Sequence, residues 1–378
     1  MEQDILNIKD QKSNRVHKRV LVVTGKSGGH IFPAVALLEK LRESVDTAQL
    51  LLVLPQQSVA RGLEGTGFSV RYISIRSIRL RVGAGLLSDI GLFLKGCFES
   101  LSLLLAFRPQ AVVSFGSLVG IPLVFFSRLL GVKKVIVHEQ NVIPGRAQRF
   151  AAFFAHRVAI SFEETRRYLG GDGQKIVFTG NPLRGNITKI GRGAALQYFS
   201  LKEGEFTVLI MGGSQGSGAI NKAFLRAARS LAARCRFQAI HLTGVPDYER
   251  VKAEYAALSL ESRVFAFLDP VQYALSAADV VVSRGGATSI TELMYYRVPA
   301  IIIPYPYAYQ HQAANARVLQ DTGAAVVIRD SELDSGTLEV ALEGLIRGSE
   351  KREAMKAGYE NFSHIDARSL LAKVVLAA

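Results

Sequence analysis

The 378 residues are 49% apolar and 21% charged, which supports two domains with cores of their own and excludes a disordered or fibrous chain. The balance of 46 Lys and Arg against 32 Asp and Glu leaves +14, which points to an anionic partner: nucleic acid, an acidic membrane surface or a phosphorylated substrate. The two cysteines, Cys97 and Cys235, form no CxxC and no Cys/His cluster, which argues against a disulfide scaffold or structural zinc and for a reducing, cytoplasmic compartment.

Residues 1–18 read as a polar, loose arm whose early acids and missing apolar core are unlike a secretory signal. From Arg19 onward, short apolar runs alternate with longer amphipathic stretches, the signature of a doubly wound parallel α/β sheet. The first unit is a strand at Val20–Val23, a turn Thr24-Gly25-Lys26-Ser27-Gly28-Gly29-His30, and a helix expected from Pro33 to about Leu41. The turn lacks the first glycine of GxxxxGK and is not GxGxxG. His30 either packs or caps, or, at the mouth of a glycine loop, takes an acid–base role.

Arg71, Arg76, Arg79 and Arg81 lead into Leu86, Leu87, Ile90, Leu92, Phe93, Leu94 and Lys95. Basic residues flanking an apolar helix suit the surface of an anionic membrane; a core-facing helix beside a solvated basic loop fits the same residues equally well. Because Glu99 and Arg108 bracket Ser100–Phe107, no apolar run is expected to span a bilayer. A strand at Ala111–Ser114, a helix from Pro122 and a strand at Val135–Val137 follow. The last ends in His138-Glu139-Gln140-Asn141, polar residues where the ligand crevice of an open sheet is expected. Strands at Val158–Ser161 and Ile176–Phe178 lead to Thr179-Gly180-Asn181-Pro182-Leu183-Arg184, which breaks regular structure and marks a domain junction.

The second half restarts the alternation with a strand at Thr207–Ile210, a turn at Gly212–Gly216 and a helix from Ala219. Further strands are expected at Phe237–Leu242, Val264–Phe267, Val280–Val282 and Ala300–Ile303. Between the last two, Ser283-Arg284-Gly285-Gly286 opens a helix with Thr288, Ser289, Thr291 and Glu292. Its first N–H groups suit phosphate and Glu292 suits a vicinal diol, although a plain helix cap over a core strand fits too. After Pro304-Tyr305-Pro306 come Gln310, His311, Gln312 and Asn315, side chains of the kind that bond sugars. The chain ends in helices at Leu338–Ile346 and from Lys351 onward. No DxD motif lies in a plausible loop, so no metal or other cofactor is expected; no Lys/Arg run interleaves aromatics, so no nucleic acid is expected as partner.

GKSGGHIFPAVAL, HEQNVIPGRAQRF, TGNPLR, GGSQGSGAIN and RGGATSITELMYYRVPAIIIPYPYAYQHQAANA, in this order and spacing, resemble the MurG family of GlcNAc transferases, which convert lipid I to lipid II in bacterial peptidoglycan synthesis. The resemblance implies a GT-B glycosyltransferase, α/β, with two Rossmann-like domains and parallel sheets facing a cleft. Residues 19–184 would face the acceptor and the membrane, 185–350 would bind UDP-GlcNAc, and 351–378 would form a helix packing back on the first domain. Donor positions carried over are Ser27, Gly28, Gly29, Asn141, Arg184, Ser214, Leu268, Ala287, Thr288, Ser289, Ile290, Thr291, Glu292 and Gln312. His30, or a group near it, would be the base of an inverting, metal-independent transfer. The implied partners are UDP-GlcNAc, the lipid I acceptor and the anionic cytoplasmic membrane surface, with the protein peripheral to it. Two departures stand out: Lys26 replaces a glycine of the family's GGTGGH, and Ser117-Leu118-Val119-Gly120 lacks the family's usual aromatic. The alternatives are a UDP-GlcNAc 2-epimerase of the same fold, which needs acidic residues around the sugar, and a non-catalytic basic protein binding membrane or nucleic acid.

Overall fold

The computed structural model describes residues 18–45, 48–56, 66–75, 84–170, 173–308, 310–333, 335–362 and 365–377. Its first half runs β1 (Arg19–Val23), α1 (Gly28–Ser44), β2 (Gln49–Pro55), β3 (Ser69–Ile73), α2 (Ala84–Phe107), β4 (Ala111–Ser114), α3 (Gly120–Leu129), β5 (Lys134–Glu139), α4 (Arg146–Phe154), β6 (Arg157–Ile160) and β7 (Ile176–Phe178). The second half runs α5 (Arg192–Tyr198), β8 (Thr207–Met211), α6 (Gly218–Leu231), β9 (Gln238–Leu242), α7 (Tyr248–Ala256), β10 (Ser262–Phe265), α8 (Val271–Ala277) and β11 (Val280–Ser283). It continues through α9 (Ala287–Tyr296), β12 (Ala300–Ile302), α10 (His311–Asp321), β13 (Ala325–Val327), α11 (Ser335–Arg347), α12 (Ser349–Ala357) and α13 (Ala367–Leu376).

Each half is one parallel sheet, ordered β3-β2-β1-β4-β5-β6-β7 in the first and β10-β9-β8-β11-β12-β13 in the second. The central strands are buried on both faces, so they read as unbroken runs such as Val20–Val23 and Val280–Val282 rather than as alternating patterns. In both sheets the winding reverses next to the first strand, between β1 and β4 and between β8 and β11. Their carboxyl ends therefore bound a crevice, the place where open α/β sheets take ligands.

Several expectations differ from the structure. Helix α1 begins at Gly28, so Pro33 lies in its interior and not in its first turn. Strands β2, β3 and β13 were not anticipated: β3 is a polar edge strand and β13 has three residues, too few for a periodic signal. The last stretch is two helices with different loyalties. Met355 and Tyr359 lie in the second half's core, the Tyr359 hydroxyl donating to the Val298 carbonyl (2.7 Å), so the return to the first half comes after Phe362 and not at Lys351. Leu371, Ala372 and Val375 of α13 pack with Leu37, Leu38 and Leu41 of α1.

Helix α2 overturns the expectation that no apolar run is long enough to span a bilayer. Its stretch Ser88–Phe107 is long and apolar enough to cross a membrane by length and composition, with a mean hydropathy of 1.7 over an 18-residue window. Glu99 within it accepts from Ser74 N (2.7 Å) and Ser74 Oγ (2.9 Å), which ties α2 to the end of β3. Arg76, Arg79 and Arg81, and the side chains of Leu86 and Leu87, lie outside the described residues.

Candidate functional site

Three strand–turn–helix junctions converge on a cleft of about 870 Å3 between the halves: β1 to α1, β8 to α6 and β11 to α9. At each, a buried strand delivers the chain to a sharp turn and the following helix points its unpaired N–H groups at the crevice. Glycine is obligatory where backbones meet. Gly216 has φ +77°, and a Cβ there would sit 2.0 Å from the Thr243 carbonyl oxygen. At Gly285 a Cβ would meet the Gln312 carbonyl oxygen at 2.4 Å, which locks the turn before α9 against α10.

In the first junction His30 occupies the first turn of α1, with Nδ1 packed over Gly25, where a Cβ would approach to 2.5 Å. The ring is reachable from the cleft yet enclosed by its walls. That desolvation, reinforced by neighbouring His311, holds its pKa near 4, so the imidazole is neutral at physiological pH. Interior Pro33 has no N–H for the Gly29 carbonyl four residues back, and that carbonyl instead accepts from Thr288 Oγ1 of the other half (3.4 Å).

The second half and the segment leading into it supply charge. Burial raises the Glu292 carboxyl to about 7, partly opposed by Arg184. The Arg184 guanidinium lies 4.3 Å over the Phe32 ring and its Nη1 donates to Asp269 Oδ1 (2.8 Å). Arg284, unassigned in the sequence, is a buried strut under the second and third turns. It donates from Nη2 to Ser217 Oγ (2.8 Å), pairs with Asp330, reaches the Ile303 carbonyl (3.1 Å), and so fixes the N-cap of α6 relative to β11. An arginine directly after a buried strand was the available signal.

Ser27, Gly28, Gly29, His30, Asn141, Arg184, Ser214, Leu268, Ala287, Thr288, Ser289, Glu292 and Gln312 line the cleft. Ile290 and Thr291 do not: Ile290 is in the apolar core, and Thr291 Oγ1 turns back to the Ala287 carbonyl (2.9 Å). Ile290 lies on the buried side of α9, and Thr291 Oγ1 also accepts from Asn181 Nδ2 (3.4 Å).

The quartet at the end of β5 also divides. Asn141 lines the cleft, as does Gln140, itself buried with its Nε2 turned back to the His138 carbonyl (3.1 Å), whereas the buried His138 and Glu139 do not line it. His138 Nε2 donates to the Gly180 carbonyl (3.0 Å) and pins the linker; burial holds its pKa near 4. Of the four polar residues after Pro304-Tyr305-Pro306, His311 and Gln312 line the cleft, Gln310 is exposed at the start of α10, and Asn315 is buried. His311 Nδ1 donates to the Ile143 carbonyl (2.7 Å), and Gln312 Oε1 accepts from Tyr305 N (2.9 Å). Among the described residues no three His, Cys, Asp or Glu side chains gather as a metal site.

Comparison with known proteins bears on this arrangement. Residues 20–160 match the glycosyltransferase family 28 N-terminal domain and residues 207–370 its C-terminal domain. The UDP-N-acetylglucosamine--N-acetylmuramyl-(pentapeptide) pyrophosphoryl-undecaprenol N-acetylglucosamine transferase of Halothermothrix orenii is 33% identical over 366 residues, covering 94% of this chain and 98% of the relative. Its namesake in Bacillus subtilis is 32% identical over 361 residues, covering 94% and 98%. The crystal structure of Acinetobacter baumannii MurG superposes with a TM-score of 0.75 at 25% identity, covering 96% of this chain and 100% of that one. A putative UDP-N-acetylglucosamine 2-epimerase from Listeria monocytogenes, at TM-score 0.69 and 13% identity over 95% of this chain and 96% of that one, shares the fold.

Proposed function

We propose, given that this chain belongs to glycosyltransferase family 28 and within it to the MurG transferases, that it transfers GlcNAc from UDP-GlcNAc to the 4-hydroxyl of the MurNAc residue of lipid I, giving lipid II. One observation carries the reading to this cleft. The N termini of α6 and α9, the Arg184 cation and the desolvated Glu292 carboxylate converge across from a neutral imidazole.

In this reading the second half holds the donor. The diphosphate rests on the helix N termini and Arg184, the ribose diol donates to Glu292, and Gln312 meets the sugar. The acceptor oxygen attacks the anomeric carbon from the face opposite the diphosphate as the bond from that carbon to the phosphate oxygen breaks. UDP departs with the electron pair, its charge met by the same N–H groups and guanidinium. His30 takes the hydroxyl proton. Its low pKa keeps it unprotonated and ready, at the cost of being a weak base, so positioning at the turn carries much of the effect.

The first half would take the lipid. Leu94 and Phe98 of α2, Leu129 of α3 and Phe153 of α4 are 61%, 73%, 71% and 78% exposed, and Lys95, Arg128 and Arg149 lie on the same three helices. Exposed apolar side chains beside cations suit docking on the anionic cytoplasmic face of the membrane.

Labelled UDP-GlcNAc is incubated with a lipid I analogue, with and without a chelator. The expected result is GlcNAc on the lipid and free UDP in both. Formation of UDP-N-acetylmannosamine without acceptor would instead establish epimerisation.

A further inference from the structure

Asn315 of α10 belongs to the second half but bonds to both. Its Oδ1 accepts the Val142 N–H (2.9 Å), and its Nδ2 donates to Asn141 Oδ1 (3.1 Å) and to the Gly285 carbonyl (3.1 Å). It thus joins the loop after β5 to the turn before α9, and it is wholly buried.

Asn141 is held on its remaining sides. Its backbone N–H and its Nδ2 both donate to Glu139 Oε1 (2.8 and 3.1 Å), and its carbonyl accepts from Thr165 Oγ1 (3.2 Å). The amide orientations are therefore forced. Glu139 Oε1 already accepts a backbone N–H, so the nitrogen of Asn141 must face it. Asn141 Oδ1 then needs a donor, which fixes the nitrogen of Asn315, and the Val142 N–H fixes its oxygen. Of the two hydrogens on Asn141 Nδ2, one serves Glu139 and the second is left for the cleft that Asn141 lines.

We infer that Asn315 is a positioning residue for the donor site: through Asn141 and Gly285 it locks the cleft wall of the first half to the α9 turn of the second. Donor affinity then depends on the two halves being docked. This rests on the reading that the cleft takes UDP-GlcNAc. Other hydrogen bonds cross the same seam, among them His311 Nδ1 to the Ile143 carbonyl (2.7 Å) and Thr288 Oγ1 to the Gly29 carbonyl (3.4 Å), so loss of Asn315 loosens the seam without opening it.

Asn315→Asp keeps the volume and the acceptor for Val142 but turns an oxygen toward two other acceptors. UDP-GlcNAc binding is measured by calorimetry for the parent, Asn315→Asp, Asn141→Ala and the double variant, each with its unliganded melting temperature. Asn315→Asp is expected to weaken binding about tenfold, Asn141→Ala by a similar factor, and the pair no more than the worse single variant. KM for UDP-GlcNAc should rise by the same factor while KM for the lipid acceptor holds. If Asp at this position leaves too little folded protein, Asn315→Ala, which removes the contacts instead of inverting them, enters the same cycle. Parent-like affinity in the variant at 315, or losses that multiply, would overturn the inference and leave the donor reading intact. A parent protein that binds no UDP-GlcNAc would overturn both.

Discussion

The two halves share a parallel sheet and a glycine turn after the first strand, yet their polar and apolar groups are distributed differently. In the first half the cleft side holds one neutral imidazole, and large apolar side chains stand exposed on α2, α3 and α4. In the second, the cleft side holds a desolvated carboxylate and two helix N termini, and the exposed large side chains are scattered and mostly tyrosines, such as Tyr198, Tyr305 and Tyr307. A repeated architecture has been given unlike surfaces, as a lipid-bound acceptor and a charged, soluble donor require.

The sharpest way to break that division is at His30. His30→Ala is expected to lower turnover at least about a hundredfold with donor affinity near that of the parent, because a general base typically contributes 10²- to 10⁴-fold. The acid limb owed to His30 should lie near 4, well below the 6.5 of an unperturbed imidazole. Parent-like turnover in the variant would leave the first half without a chemical role.

Glu292→Ala tests the other side. Loss of a charge-assisted contact to the ribose should cost about 1.5 to 3 kcal/mol in UDP-GlcNAc affinity, read by calorimetry on folded variant. Unchanged affinity would move the donor out of the second half.

The same carboxylate carries a pH signature. Its pKa is raised to about 7, so it is protonated below that value and must lose its proton for both oxygens to accept from a diol. Donor affinity should therefore rise as pH passes upward through 7, by about tenfold between pH 6 and pH 8, and Glu292→Gln should flatten the curve. Folding stability moves the opposite way. A carboxyl with a raised folded pKa stabilises fully below its unfolded value of 4.5, and that contribution is lost as pH rises through about 7.

The smallest effect is expected at the exposed apolar face. Phe153→Ser should reduce partition onto anionic vesicles several-fold, since one partly inserted aromatic contributes a fraction of the 1.5 to 3 kcal/mol of full burial. The substitution should leave UDP-GlcNAc binding unchanged. Co-sedimentation equal to the parent's would move the membrane face off α4.

Much of the site is legible in the chain because the signals are local. A buried strand, a glycine turn and a helix start are contiguous residues, so Gly28, Ser214 and Glu292 declare themselves. Short-range pattern does less well where burial on one side decides the outcome. Pro33 reads as a helix start, yet α1 begins five residues earlier and leaves the Gly29 carbonyl for Thr288. His138, Glu139, Gln140 and Asn141 read alike as polar residues at a strand end, and only the segments packed around them decide that Gln140 and Asn141 line the cleft while His138 and Glu139 do not.

By itself, then, the sequence determined two α/β halves, their turns and the residue types at those turns, because strand hydrophobicity and glycine backbone freedom act over a few residues. Tertiary structure decided the rest. That Arg284 ties α6 to β11, that α13 returns to α1, that Asn315 joins Asn141 to Gly285, and that His30 and Glu292 shift to about 4 and about 7 all depend on which distant segments exclude water from a group or present it a partner.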